Sequence, residues 1–149
     1  MIQPLGDRHT YVKADDIKLG FRGSRPDPGE LSNDDYMKYS EIVWSKYVRG
    51  ELKSFCKGKI WFGLLDGSVG YLLIPAFIDF GGGPDFEAQS HSLEEALDRI
   101  FRDSGKLKGL VIDVRHNWGG YDGLGLIVAS RLTRRKYLAY FKETRDSSA

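Results

Sequence analysis

Leu110-Val111-Ile112-Asp113-Val114-Arg115-His116-Asn117-Trp118-Gly119-Gly120 is the stretch on which the reading of this chain turns. Its first half is apolar and β-branched, as a strand requires, and its second half is polar and ends in two adjacent glycines. Residues 107–114 therefore read as a buried strand, the clearest in the chain. Beyond the glycines Leu124, Ile127, Val128 and Leu132 recur at helical spacing, so the order is strand, glycine turn, helix. Two glycines at a strand's end leave backbone N–H groups unblocked by side chains and able to point at an anion. That arrangement suits the negative oxygen formed when a nucleophile attacks a carbonyl, where one preorganised donor contributes about 3–4 kcal/mol. Asp113 and Arg115 flank the turn with opposite charges, and Asn117 can hydrogen-bond the backbone to hold it. Taken alone, a Gly-Gly pair is more often a plain connection.

Outward from this stretch the pattern is one of alternation. Ser92 with Glu95 has the form of a capping box, and Leu93, Leu97, Ile100 and Phe101 mark one face of a helix ending near Gly105. Earlier still, three short apolar runs (52–56, 60–65 and 69–77) are separated by turn residues, and Asp66-Gly67-Ser68 is a hairpin signal. Residues 69–74 are almost continuously apolar, which predicts a strand covered on both faces. The Gly-Gly-Gly-Pro run at 81–84 is a loop by composition. Ser32 is an N-cap candidate with Asp35 three positions on, and Tyr36, Tyr39, Val43 and Tyr47 predict a helix with one apolar face, running to about Val48. At the two ends, Gly6 reads as a helix end, residues 10–12 as a strand, and residues 136–141 as another strand. An antiparallel beginning followed by alternating helix and strand predicts an α/β architecture with a mixed sheet.

Composition narrows the function classes. A chain of 149 residues supports one domain with a real core more readily than two. Lys plus Arg number 22 against 21 for Asp plus Glu, so bulk charge offers no argument for a nucleic-acid or anionic-membrane partner. The basic cluster Arg131, Arg134, Arg135 and Lys136 reads as the solvated end of a helix. No apolar run is long enough for a spanning helix, so membrane insertion is not expected. The opening residues have no secretory pattern, although an exported or periplasmic parent stays open. Cys56, the single cysteine, excludes an intrachain disulfide and reads as a core filler.

Cofactor chemistry finds no support in the sequence either. His9, His91 and His116 are scattered, with no metal-binding spacing, and no metal is expected. Asp79, Asp85 and Glu87 around the glycine loop read as an exposed acidic loop rather than a cation site. Gly120-x-x-Gly123-x-Gly125 follows a strand but runs in the reverse order to a dinucleotide fingerprint, so no cofactor is expected.

Three segments, in order, carry a resemblance. Asp113-x-Arg115-x-Asn117-x-Gly119-Gly120 after an apolar strand resembles the signature of the tail-specific, C-terminal-processing serine peptidases, which include the tricorn-type proteases. Leu5-Gly6-Asp7-Arg8-His9-Thr10 resembles that family's helix-end motif with a histidine, and Gly70-Tyr71-Leu72-Leu73-Ile74-Pro75-Ala76-Phe77 resembles its G-Y-[IL]-x-[IL]-x-x-F strand. Three ordered motifs outweigh the bland reading of one glycine pair. A PDZ module between the first two motifs is not apparent, which resembles the PDZ-less branch.

The resemblance implies an α/β, crotonase-like mixed sheet with flanking helices, a serine nucleophile and a polypeptide substrate. It implies Gly119 and Gly120 as oxyanion residues. It also implies His9 as general base in the tricorn-type branch, a lysine doing that work in the C-terminal-processing branch. Trp118 departs from the small residue, proline or glycine usual before the double glycine, which would narrow the site. The family's serine lies further downstream than this sequence runs, and neither Ser130 nor Ser147 or Ser148 sits on a nucleophile elbow. Residues 1–149 are therefore expected to be a partial, incomplete catalytic domain, inactive alone, with a homo-oligomer or domain-swapped dimer covering exposed core surface. The alternative is a degenerate, non-catalytic peptide-binding or interaction module on the same scaffold. A weaker third reading is a crotonase-like acyl-thioester enzyme, which lacks any coenzyme-binding feature here.

Overall fold

The structure is a computed structural model that describes residues 11–14, 17–20 and 33–143. The chain divides into two compact units, Met1–Tyr39 and Ser40–Ala149. The described part of the first holds strands β1 (Tyr11–Ala14) and β2 (Ile17–Gly20), paired antiparallel with Tyr11 opposite Gly20, and the start of helix α1 (Asn33–Lys46). The strand read at residues 10–12 is thus β1, while the N-cap assigned to Ser32 and the helix end at Gly6 lie outside the described residues.

The second unit is built on a four-stranded sheet in the order β3 (Arg49–Phe55), β4 (Ile60–Leu65), β5 (Val69–Leu73), β6 (Gly109–Asp113). The first two pairings are antiparallel and β5–β6 is parallel, so the sheet is mixed. Asp66-Gly67-Ser68 closes the β4–β5 hairpin, with Gly67 and Ser68 at φ +73° and +65°. Parallel pairing needs a crossover, and α2 (Phe86–Phe101) provides it between β5 and β6. Helix α3 (Asp122–Ser130) follows β6. Ile60, Leu72 and Ile74 from the sheet region meet Leu93, Leu97 and Ile100 of α2 and Leu124 and Val128 of α3 in one buried core. Cys56 packs against it and its thiol donates to the Ser92 carbonyl at 3.6 Å.

Several expectations from sequence need correction. Helix α2 starts well before Ser92, because Asp85 Oδ1 accepts the Ala88 N–H at 2.8 Å and caps it. Aspartate after a glycine-proline run is as strong a start signal as the Ser92–Glu95 pair, and it comes first. Strand β6 is an edge strand, with Val111 44% exposed, so the run expected to be most buried is covered only in part. Residues 136–141 form no strand: β propensity does not act without a partner, and the segment lies along α3. Tyr140 there donates to Asp122 at 3.3 Å, and Lys142 pairs with the same carboxylate. Leu132 falls past the end of α3 and is exposed. On α1 the expected apolar face is only lightly covered, Tyr39 and Tyr47 being exposed, while Trp44 stacks on Trp61 of β4 with centroids 5.9 Å apart.

Candidate active site

The glycine turn is fastened to the exit of β5. Beyond Leu73 the chain continues through Ile74, Pro75, Ala76 and Phe77, and the turn runs beside it. Asn117 Nδ2 donates to Ile74 O at 2.8 Å, Trp118 N to Pro75 O at 2.9 Å, Phe77 N to Gly119 O at 2.7 Å and Tyr121 N to Phe77 O at 2.9 Å. Two segments that stand forty residues apart in sequence are thereby one structure, so the Gly70-to-Phe77 and Asp113-to-Gly120 motifs belong to the same site.

The root of the turn is a buried polar cluster. Tyr71 on β5 and Asp113 at the end of β6 are both nearly fully buried, and the phenol donates to Asp113 Oδ2 at 2.7 Å. Arg115 closes a bidentate pair on the same carboxylate, Nε to Oδ1 at 2.9 Å and Nη2 to Oδ2 at 2.6 Å, and its backbone N–H adds a bond of 3.2 Å to Oδ1. Burial pushes the Asp113 carboxyl up, but the bonds from Arg115 and Tyr71 together outweigh it and hold the group below the usual aspartate range. The same pairing raises Arg115 further above its ordinary value. Asp113 thus acts as a fixed anion that anchors Arg115 and the start of the turn. On this side of the sheet an apolar groove of about 440 Å³ runs between Val43 and Tyr47 of α1 and Tyr71, Val111 and Arg115.

Gly119 and Gly120 have φ of +88° and +133°, a region closed to ordinary side chains, and both residues are exposed. They are not equivalent. A Cβ on Gly119 would meet no atom within 4 Å, whereas one on Gly120 would stand 2.1 Å from the Phe77 carbonyl oxygen. Their amides differ as well. Gly119 N–H donates to Asn117 Oδ1 at 2.8 Å. Phe77 and Gly120 form a parallel bridge in which Phe77 bonds to Gly119 and Tyr121, on either side of Gly120. In such a bridge the central residue's own N–H faces away from the partner strand. Gly120 N–H makes no hydrogen bond among the described residues.

His9, with the whole of residues 5–10, lies outside the described residues. His116 packs edge-on against Trp118 with ring centroids 4.6 Å apart, and Trp118 is 66% exposed beside the turn. His91 sits on α2, 3.4 Å from Glu95. Ser45, Ser90 and Ser130 donate to carbonyls of their own helices, at 3.5, 2.7 and 2.7 Å. Among the described residues no three His, Cys, Asp or Glu side chains are grouped to hold a metal, and no helix is long and apolar enough to cross a membrane. Sequence reasoning missed Tyr71 as part of this site. Its signal was a phenol inside a strand that is otherwise apolar, since a buried Tyr O–H needs a partner.

No curated protein and no solved structure matches the chain. The sequence model of peptidase family S41 matches residues 68–149, from the β4–β5 hairpin through the glycine turn and α3 to the end. That match covers more than half of the chain and includes both motifs that the structure joins, and the chain belongs to peptidase family S41.

Proposed function

We propose that this chain is the oxyanion-forming part of a serine endopeptidase that hydrolyses polypeptides at or near unstructured carboxyl termini, on a crotonase-like scaffold. The observation that carries the reading is the Gly120 amide: exposed, without a hydrogen bond among the described residues, and held in a turn tied to the β5 exit through Asn117, Trp118, Gly119 and Tyr121. A donor fixed before reaction needs no reorganisation when negative charge appears on a carbonyl oxygen, which is how such groups lower an acyl-transfer barrier. Asp113 is committed to Arg115 and Tyr71, so it serves as scaffold rather than as a base. The general base is His9 in this reading, with a lysine as the alternative.

In this reading Ser45, Ser90 and Ser130 are not the nucleophile, their hydroxyls being turned to carbonyls of their own helices. The same observation favours a second reading, a peptide-binding module without catalysis. One comparison separates the two: degradation of an unfolded protein by residues 1–149 and by a longer natural form of the chain, each with and without Gly120→Pro, which removes the amide, with the fold of each variant verified by circular dichroism because proline's φ of about −65° departs from the +133° of Gly120. The peptidase reading expects no cleavage by the short form and cleavage by the longer one that Gly120→Pro abolishes. Cleavage that survives Gly120→Pro in a folded protein would sink the oxyanion role. Peptide binding without cleavage in both forms would establish the second reading.

A further inference from the structure

We infer that Asn117 is a positioning residue that decides which of the two glycine amides is offered to the reacting carbonyl, taking Gly119 out of use and leaving Gly120 alone. The inference rests on the peptidase reading for its consequence, but its geometry stands without it.

Asn117 is half-buried and spans two elements. Its Oδ1 accepts the N–H of Gly119, two residues on, which is the Asx-turn arrangement, and its Nδ2 donates to Ile74 O across the gap to the β5 exit. The partners settle the orientation of the amide: an N–H must meet the oxygen and a carbonyl must meet the nitrogen. One short side chain must therefore accept and donate at once. Aspartate has the acceptor but no donor, serine and threonine do not extend to both partners, and only asparagine combines both groups at this length. The backbone of Asn117 is tied as well, its N–H donating to Val114 O at 3.0 Å.

The consequence lies in the competition between adjacent glycines. Both adopt positive φ, and Gly119 has open space around it, so without a tether its peptide units can swing and either amide can face solvent. Spending the Gly119 N–H on Asn117 and the Gly119 carbonyl on Phe77 removes that freedom from both sides of the residue. Gly120 is then set by contact: its Cα lies so close to the Phe77 carbonyl that no side chain fits, and its N–H is directed away from β5. One amide is masked and one is presented. A neutral amide does this masking without placing a negative charge behind the site, which a carboxylate would do.

Amide exchange and anion titration, followed residue by residue by NMR on the unsubstituted chain and on Asn117→Ala and Asn117→Asp, test this directly. In the unsubstituted chain Gly119 exchanges more slowly than Gly120, and added sodium acetate shifts the Gly120 amide saturably while leaving Gly119 in place. Asn117→Ala releases Gly119, speeding its exchange about five-fold, the loss of one ordinary hydrogen bond, and spreads the acetate response over both amides. Asn117→Asp keeps the acceptor, so Gly119 stays protected to within about two-fold, but its charge weakens the response of Gly120 to acetate. A structural role alone would not separate the two variants in this way. Equal exchange at Gly119 and Gly120 in the unsubstituted chain, or a Gly119 unaffected by Asn117→Ala, overturns the inference. Protection of Gly119 together with a Gly120 amide indifferent to acetate supports the masking and overturns the oxyanion reading on which its consequence depends.

Discussion

The Tyr71 phenol reaches across the parallel β5–β6 ladder to donate to Asp113 Oδ2 at 2.7 Å, and together with the bidentate Arg115 it leaves that buried carboxylate committed. Position explains the geometry. Leu73 is the ladder partner of Asp113, and Tyr71, two residues earlier on β5, projects from the same face. The long phenol covers the offset. The bond ties the strand that carries one motif to the strand that carries the other, immediately below the turn.

This cluster makes the protein acid-sensitive in a defined direction. Asp113 is held below its ordinary pKa in the folded state, so its contribution is complete above the unfolded aspartate value of about 4 and is lost as pH falls through the lower folded value. The thermal midpoint should be flat with respect to this group above about pH 5 and should fall below about pH 4. Asp113→Asn should cost about 1.5–3 kcal/mol at neutral pH and make the acid slope shallower, and Tyr71→Phe about 1–2 kcal/mol. Thermal melts from pH 2 to 8 check both, and an unchanged acid slope in Asp113→Asn would refute the assignment.

The two glycines should respond differently to the same substitution. Gly119→Ala meets open space and carries only the left-handed backbone penalty, about 1–2 kcal/mol. Gly120→Ala drives a methyl into the Phe77 carbonyl and must break the Phe77–Gly120 bridge, so a loss of roughly 3 kcal/mol or more is expected. Denaturant melts of the two variants give the comparison. Equal losses would mean that the close approach at Gly120 relaxes without cost.

Cys56 should be a slow thiol. Burial pushes its pKa up to about 11, so at pH 8 about one molecule in a thousand carries the thiolate. Alkylation by iodoacetamide should therefore rise about ten-fold per pH unit between pH 7 and 10 in the folded protein. A rate that levels off near pH 8.5 would show an ordinary exposed thiol instead.

Much of the scaffold was legible from local pattern. The β4–β5 hairpin announced itself in Asp66-Gly67-Ser68, β5 in its unbroken apolar run, and the buried face of α2 in Leu93, Leu97 and Ile100. Each of those signals depends on a few neighbouring residues. The misread elements depended on partners instead. Residues 136–141 have the composition of a strand and no strand beside them, and β6 has a core-strand sequence at a sheet edge. Pairing is a property of two segments, and periodicity describes one.

The sequence by itself determined that a strand runs into a glycine turn and then a helix, and that Asn117 stands where its side chain can tie the Gly119–Gly120 turn, because glycine conformation and Asx geometry are local. Only the tertiary structure decided that Asn117 Nδ2 and the Gly119 carbonyl are tied to the β5 exit while the Gly120 amide is left exposed, that Phe77 forbids a side chain at Gly120, and that Tyr71 offsets part of Asp113's desolvation. Those outcomes arise where β5 and β6 lie side by side. How the turn is held, and so which amide it leaves exposed, depends on the carbonyls and N–H groups the adjacent strand presents to it, and the 35 residues between β5 and β6, α2 included, set that strand in place.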